Sequence, residues 1–359
     1  MLVCETILEL ARWAPSGDND QPWKFEIKGE FEVVVHGRDT RKQCVYDRDG
    51  RPSQLALGAL LETMRIAASA HGLRTDIARR LDPSHGLASE NHNYTFDVRF
   101  VPDPGIEKSP WFAFIKTRKV QRRPMSVSAL TAQQKAALEA SVGPGHRVVW
   151  FETFAERWRV ATLLFRNAKV RLTMPEAFEV HRRVIEWGAR ESEDRIPGQA
   201  VGVDPFTAKL MQWAMQSWSR VEFCNKWLAG TVMPRLQLDL FPGLACAAHV
   251  AVVANATPSS IDSSVDSGQA LQRFWLEVTR LGLWLQPEMT PVIFGRYVRE
   301  QTVYTNNPVV RALGAVVTSE FTALWGEERA PRVVFFARLG NGREPVARST
   351  RRPLNQLIV

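Results

Sequence analysis

One segment of this chain occurs twice, and no other feature narrows its fold so far. In residues 58–73 and 268–283 alike a Gly-Leu ending begins 14 positions after the opening glycine, and self-similarity of this kind sets an architecture before any other signal. In the second copy Leu271, Phe274, Trp275, Val278 and Leu285 follow i, i+3, i+4, i+7 spacing. That pattern predicts an amphipathic helix, and the closing Gly72 and Gly282 suit a left-handed C-cap. The first copy is apolar nearly all round, through Leu57, Leu60, Leu61, Met64, Ile66, Ala67 and Ala68, so it is expected to be central and buried.

Each copy keeps company with strand-like segments. Residues 23–27 and 31–35 read as a hairpin joined at Lys28 and Gly29, and residues 95–101 alternate strictly; residues 147–151, 246–253 and 332–338 surround the second copy. The expectation is an α+β chain of two halves with similar plan, parted where Pro102, Pro104, Gly105 and Pro110 cluster: residues 1–105 and 106–359, an intramolecular pseudo-dimer. The second half also carries a helical insertion at about residues 155–235, with Trp158, Trp187, Trp213, Trp218, Trp227, Met211 and Met215. Such side chains either fill a core, the commoner use, or line a cavity. Residues 191–204, with Pro197, Gly198 and Gly202, are expected to hinge part of it as a lid.

The chain has 359 residues, of which 45% are hydrophobic and 23% charged, which excludes a largely disordered chain. The longest charge-free run, residues 240–261, is interrupted by Pro242, His249, Asn255 and Pro258 and is too broken for the ~20 apolar residues of a membrane span. With no basic, apolar leader at its start and four scattered cysteines, Cys4, Cys44, Cys224 and Cys246, a cytoplasmic location and reduced thiols are expected. The net charge of +8 leaves open nucleic acid, an anionic surface or a phosphorylated ligand.

Three segments carry candidate chemistry. In the run from Ala14 to Trp23, Pro15 and Gly17 set a tight turn while Ser16, Asn19 and Gln21 bring donors and acceptors close to the main chain, an arrangement apt for a flat, hydrogen-bonding ring. Lys116, Arg118, Lys119, Arg122 and Arg123 lie within eight residues and offer guanidinium forks to a phosphate, although such a run is also the composition of a solvated turn. Arg338 and Arg343, then Arg348, Arg351 and Arg352, close the chain.

The first segment resembles the APSxxNxQPW signature of the FMN-dependent nitroreductase family. The second resembles that family's RRSxR phosphate-binding segment, with Val120 where Ser or Thr is usual, and the basic tail is similar to the family's returning phosphate ligands. The repeat helix resembles its long interface helix, and the closest pattern is the tandem, Acg-like group of fused nitroreductases. The resemblance implies a nitroreductase-like fold in each half and a single composite FMN site per chain. Its ligands would be Pro15, Ser16, Asn19 and Gln21 from one half and Arg118, Lys119, Arg122, Arg348, Arg351 and Arg352 from the other. Residues 140–145 stand about where the second half's own APSxxN should fall and lack it, and the first half begins too late for an RRSxR segment.

The activity implied is hydride transfer from NAD(P)H through FMN to a small-molecule acceptor such as a nitroaromatic, a quinone or a biosynthetic intermediate. The alternatives are a flavin-sequestering protein with little turnover and a partner-dependent flavin-modifying component. No protein nucleophile is needed, because the cofactor carries the chemistry. No phosphate-loop, HExxH, GxSxG or GxGxxG signature occurs, His85 and His92 lack a third metal ligand, and the arginines lack interleaved aromatics. Neither nucleic acid nor a membrane is expected as partner, and the chain is expected to be monomeric or a weak homodimer.

Overall fold

The computed structural model describes residues 2–81 and 93–359; His85 and His92 lie outside them. The first half comprises α1 (Val3–Ala11), β1 (Trp23–Gly29), β2 (Glu32–Arg38), α2 (Arg51–Ser69), β3 (Leu73–Arg79) and β4 (Asn93–Pro102). Helix α1 buries Cys4, Ile7, Leu8 and Ala11, the i, i+3, i+4, i+7 face that its sequence dictates.

After a linker come α3 (Ala132–Ser141), β5 (His146–Phe151), α4 (Phe154–Leu172) and α5 (Pro175–Val184). An insertion of short strands and helices follows: β6 (Ile185–Glu186), β7 (Glu191–Ser192), β8 (Ile196–Pro197), α6 (Pro205–Ala214), α7 (Trp218–Trp227), α8 (Val232–Arg235) and α9 (Phe241–Leu244). The second half closes with β9 (Ala248–Ala254), α10 (Ile261–Arg280), β10 (Trp284–Pro287), α11 (Thr290–Arg299), α12 (Pro308–Trp325), β11 (Val333–Gly340) and β12 (Arg348–Ser349).

Two four-stranded sheets result, ordered β1-β2-β4-β3 and β5-β9-β11-β10, every pairing antiparallel. The plans coincide: in each half the two strands before the long helix and the two after it take the same places. Both β3 and β10 escape the sequence reading, which carried Leu285 as a helical position; it stands in β10, immediately beyond the left-handed Gly282 (φ 70°). All of β9 and β11 is buried, because α10 covers one face of the second sheet while α4, α11 and α12 cover the other. Continuous apolar runs are what such a doubly covered sheet requires.

The repeated helices α2 and α10 meet at the centre, and their glycines are the crossing point. A Cβ on Gly58 would stand 2.0 Å from the Val265 carbonyl and 2.8 Å from Gly268 Cα; one on Gly268 would stand 2.2 Å from the Leu55 carbonyl and 2.9 Å from Gly58 Cα. The two sets of contacts are mirror-related, since Leu55 and Val265 hold the same place three residues before each glycine. Thr63 Oγ1 accepts a hydrogen bond from Gln272 Nε2 at 2.9 Å within this buried seam. The first sheet also receives a segment from the other half, and the second one from the linker that precedes α3. The Leu357 carbonyl and Val359 amide bond Phe25 of β1, and the Gln121 amide bonds Leu285 of β10.

The aromatic insertion departs from expectation. Trp158, Trp213 and Trp227 are exposed, and Trp187 and Trp218 half-buried: the core beneath is already filled by α4 residues such as Val160, Leu163 and Leu164.

Candidate functional site

Between α1 and β1 the chain makes a tight loop whose backbone is unusual. Asp18, Asn19 and Gln21 all take left-handed φ values of 51°, 65° and 52°, a conformation uncommon outside glycine that clusters at functional sites. Ser16 Oγ holds the turn by accepting the Gln21 amide at 3.0 Å, and Pro15 is buried beneath it. The corresponding loop of the second half, residues 142–145 between α3 and β5, is a four-residue turn with no such apparatus.

The loop's carbonyls gather arginines from remote segments. Arg118 donates to the Trp13 carbonyl at 3.1 Å, and Arg351 donates to the Ala14 carbonyl from Nε at 3.1 Å and from an η nitrogen at 3.0 Å. Arg348 lies over the Trp13 ring at 4.8 Å, and Arg118 over Trp275 of α10 at 4.4 Å. Arg12 joins from α1, donating to the Arg351 and Arg352 carbonyls at 3.3 and 3.1 Å while paired with Glu9.

Cations are thus packed against one another with few acids. Burial pushes Arg118 down to about 9, with Arg348 adding to the effect; Arg351 falls well below its usual range through burial and then through Arg118, Arg348 and Arg12. The buried Nε atoms of Arg118 and Arg348 have no hydrogen-bond partner. Orphaned buried donors in a like-charged cluster call for a compensating partner, and a phosphate dianion would fit this donor set.

The other sequence-singled residues are placed differently. Lys119 pairs with Glu344 at the surface. Arg122 donates to the Ala200 carbonyl at 3.1 Å and lies near Asp18; burial brings it down to about 10 against the pull of Asp18, and Asp18 is itself raised by burial to about 6. Arg352 reaches Asp194 at 3.5 Å, and its amide donates to Gln21 Oε1 at 3.0 Å. Val120, in place of the usual hydroxyl residue, bridges to β10 and packs in the apolar layer there.

A cover lies over the loop. Asn19 Nδ2 donates to the carbonyls of Ser192, Arg195 and Thr350 at 3.2 to 3.4 Å, and Gln21 Nε2 donates to the Glu193 carbonyl at 2.8 Å. Strand β12 of the tail pairs in parallel with β7 of this cover. Its glycines serve close approach: a Cβ on Gly202 would stand 2.9 Å from Arg122 Cβ, and one on Gly198 2.8 Å from the Gly188 amide nitrogen.

Sequence reasoning missed Arg12, Trp13, Asp18 and Trp275; the signal for the first two was their place just before Ala14. It also missed the buried set in which Glu288 joins His249 at 2.7 Å and Arg338 at 2.9 Å. Arg338 in turn donates to the Arg122 carbonyl at 2.8 Å, anchoring that segment to β11. All four cysteines are free and buried, and among the described residues no His/Cys/Asp/Glu group could hold a metal and no helix is long and apolar enough to cross a membrane.

No protein-family model matches the chain. Over 85 residues it is 32% identical to a protein of Mycobacterium tuberculosis, in two strains, named "Putative NAD(P)H nitroreductase acg". Over that stretch the chain is similar to a protein named as a nitroreductase. The match takes in 24% of this chain and 25% of that protein, so the chain spans about a quarter of the length of its curated relatives. A structure of a nitroreductase-like family protein from Bacillus cereus aligns with 69% of this chain and 94% of its own, at 12% identity and a TM-score of 0.33.

Proposed function

We propose that the chain binds one FMN in a composite site between two nitroreductase-type halves fused in one polypeptide, and that it works as an NAD(P)H-dependent oxidoreductase. The observation that supports this most is the cluster of Arg12, Arg118, Arg348 and Arg351, which draws on three remote segments and leaves buried guanidinium donors without partners. FMN, when bound, supplies the hydride-accepting and hydride-donating chemistry. The protein's part is to hold the phosphate at these arginines, to present the Ser16–Gln21 turn to the flavin ring and to keep water out. The acceptor is a small oxidised molecule, with quinones and nitroaromatics the natural probes.

The cover over Asn19 and Gln21 favours a second reading, flavin sequestration with little turnover, since three hydrogen bonds from these two amides hold it down and two more tie the tail beside it to the same side chains. Anaerobic stopped-flow mixing of the FMN-loaded protein separates the two. Rapid bleaching by NADH or NADPH, with colour restored by a quinone, supports the oxidoreductase; bleaching by dithionite alone overturns it in favour of sequestration.

A further inference from the structure

Eleven of the twenty exposed large apolar side chains among the described residues fall within residues 154–241. On α6, Phe206, Leu210 and Trp213 recur at i, i+4, i+7, and on α7, Phe223 and Trp227 at i, i+4; all five are exposed, as is Met233 of α8. This is the spacing of helices that bury one stripe, yet the stripe faces outward. An apolar patch of this extent marks a partner surface.

Charge selects the partner. Across residues 205–235 the charged residues are Lys209, Arg220, Lys226 and Arg235 against the single acid Glu222; Arg235 is buried against Phe165, so the charges left to the face give 3 − 1 = +2. Two of these cations stand beside the exposed indoles, Arg220 at 4.9 Å over Trp213 and Lys226 at 5.3 Å over Trp227. Two copies of the face brought together would set like charges against each other. An anionic bilayer surface instead takes tryptophan and phenylalanine into its headgroup layer and the lysines and arginine against its phosphates.

We propose that α6–α8 is a peripheral docking face for anionic lipid membranes. The expectation of no membrane partner rested on the lack of a spanning segment, a criterion that is silent on docking from one side. The face is continuous with the cover of the candidate site, since Asp204, which caps α6, follows directly on the loop that packs against Arg122.

Co-sedimentation of the full chain with vesicles tests this. Binding is expected to vesicles of phosphatidylcholine doped with phosphatidylglycerol and to be much weaker to phosphatidylcholine alone. Reversing both lysines in the double variant Lys209→Glu/Lys226→Glu should weaken it by at least about 25-fold, at ~5-fold per removed cation. The double variant Trp213→Ser/Trp227→Ser should weaken it about 10-fold or more; because these side chains are exposed, circular dichroism should be unchanged. Absence of binding to the doped vesicles overturns the proposal. So does equal binding to both lipids, and so does concentration-dependent dimerisation that Trp213→Ser/Trp227→Ser abolishes, which would assign the face to a second copy of the chain.

Discussion

Replacing Gly58 with alanine sets two physical effects against each other, and the structure decides the sign. Helix propensity alone favours alanine over glycine in a helix interior by ~1 kcal/mol. The new Cβ, however, would stand 2.0 Å from the Val265 carbonyl, where ordinary contact begins at 3.4 Å. The helices must therefore part by as much as 3.4 − 2.0 = 1.4 Å, and the atom in the way is backbone, which has no rotamer to change. Overpacking of this kind costs ~1–3 kcal/mol, sometimes more, and widening the seam forfeits dispersion contacts along α2 and α10. Gly58→Ala and Gly268→Ala should each lower stability by a net ~1–2 kcal/mol. The double variant should lose less than the sum, because the first widening makes room for the second methyl. Gly295→Ala is the control: its one tight neighbour is the far end of the Arg299 side chain, at 3.2 Å, with Phe321 and Thr318 at an ordinary 3.9 Å, so it should be neutral or stabilising by ~0.5–1 kcal/mol. Urea unfolding monitored by circular dichroism reads all four. If Gly58→Ala stabilised the protein as Gly295→Ala is expected to, the glycine-on-glycine crossing would be wrong.

Flavin released from the purified, FMN-saturated protein should amount to one per chain, because residues 142–145 cannot rebuild the Ser16–Gln21 turn; fluorimetry giving two would contradict a single composite site. Asp18→Asn should change the pH dependence of stability in a defined direction. The folded-state pKa of Asp18 is raised to about 6 from 3.8, so its favourable contribution is complete below 3.8 and is lost as pH rises through 6. Asparagine, which tolerates the left-handed backbone, should make the variant more stable than the parent at pH 7 and equal to it near pH 4, by urea midpoints. Gln21→Ala removes the amide that clamps Glu193 and Arg352 and should speed FMN release about 5- to 10-fold, as seen by stopped-flow fluorescence on dilution.

The two central helices were legible because the repeat is written into the sequence as two Gly-to-Gly-Leu segments, whose first glycines prove to be the crossing point and whose last take left-handed backbone just past the helix ends. Strands β3 and β10 were not legible, since only three residues part each from its helix and Leu285 of β10 also continues the helical period. The tryptophans of α6 and α7 misled because a period of apolar residues reports an intended buried stripe and not what covers it. At the candidate site, Arg118, Arg348 and Arg351 could be named as cations but their convergence on the Trp13 and Ala14 carbonyls could not, because it depends on a tail and a linker folding back across some 340 and 100 residues. Arg122 shares a motif with Arg118 yet bonds the Ala200 carbonyl of the cover, beyond the point where Val120 and Gln121 join β10.

The central claim is that the arginine cluster binds the phosphate of a flavin. Equilibrium titration of the apoprotein with FMN and with riboflavin, for the parent, Arg118→Ala and Arg348→Ala, measures this directly. Each lost charge-assisted contact should cost ~1.5–3 kcal/mol, or about 10- to 150-fold in Kd for FMN, with riboflavin affinity nearly unchanged. Equal weakening of both flavins, or FMN binding no tighter than riboflavin to the parent, would contradict it.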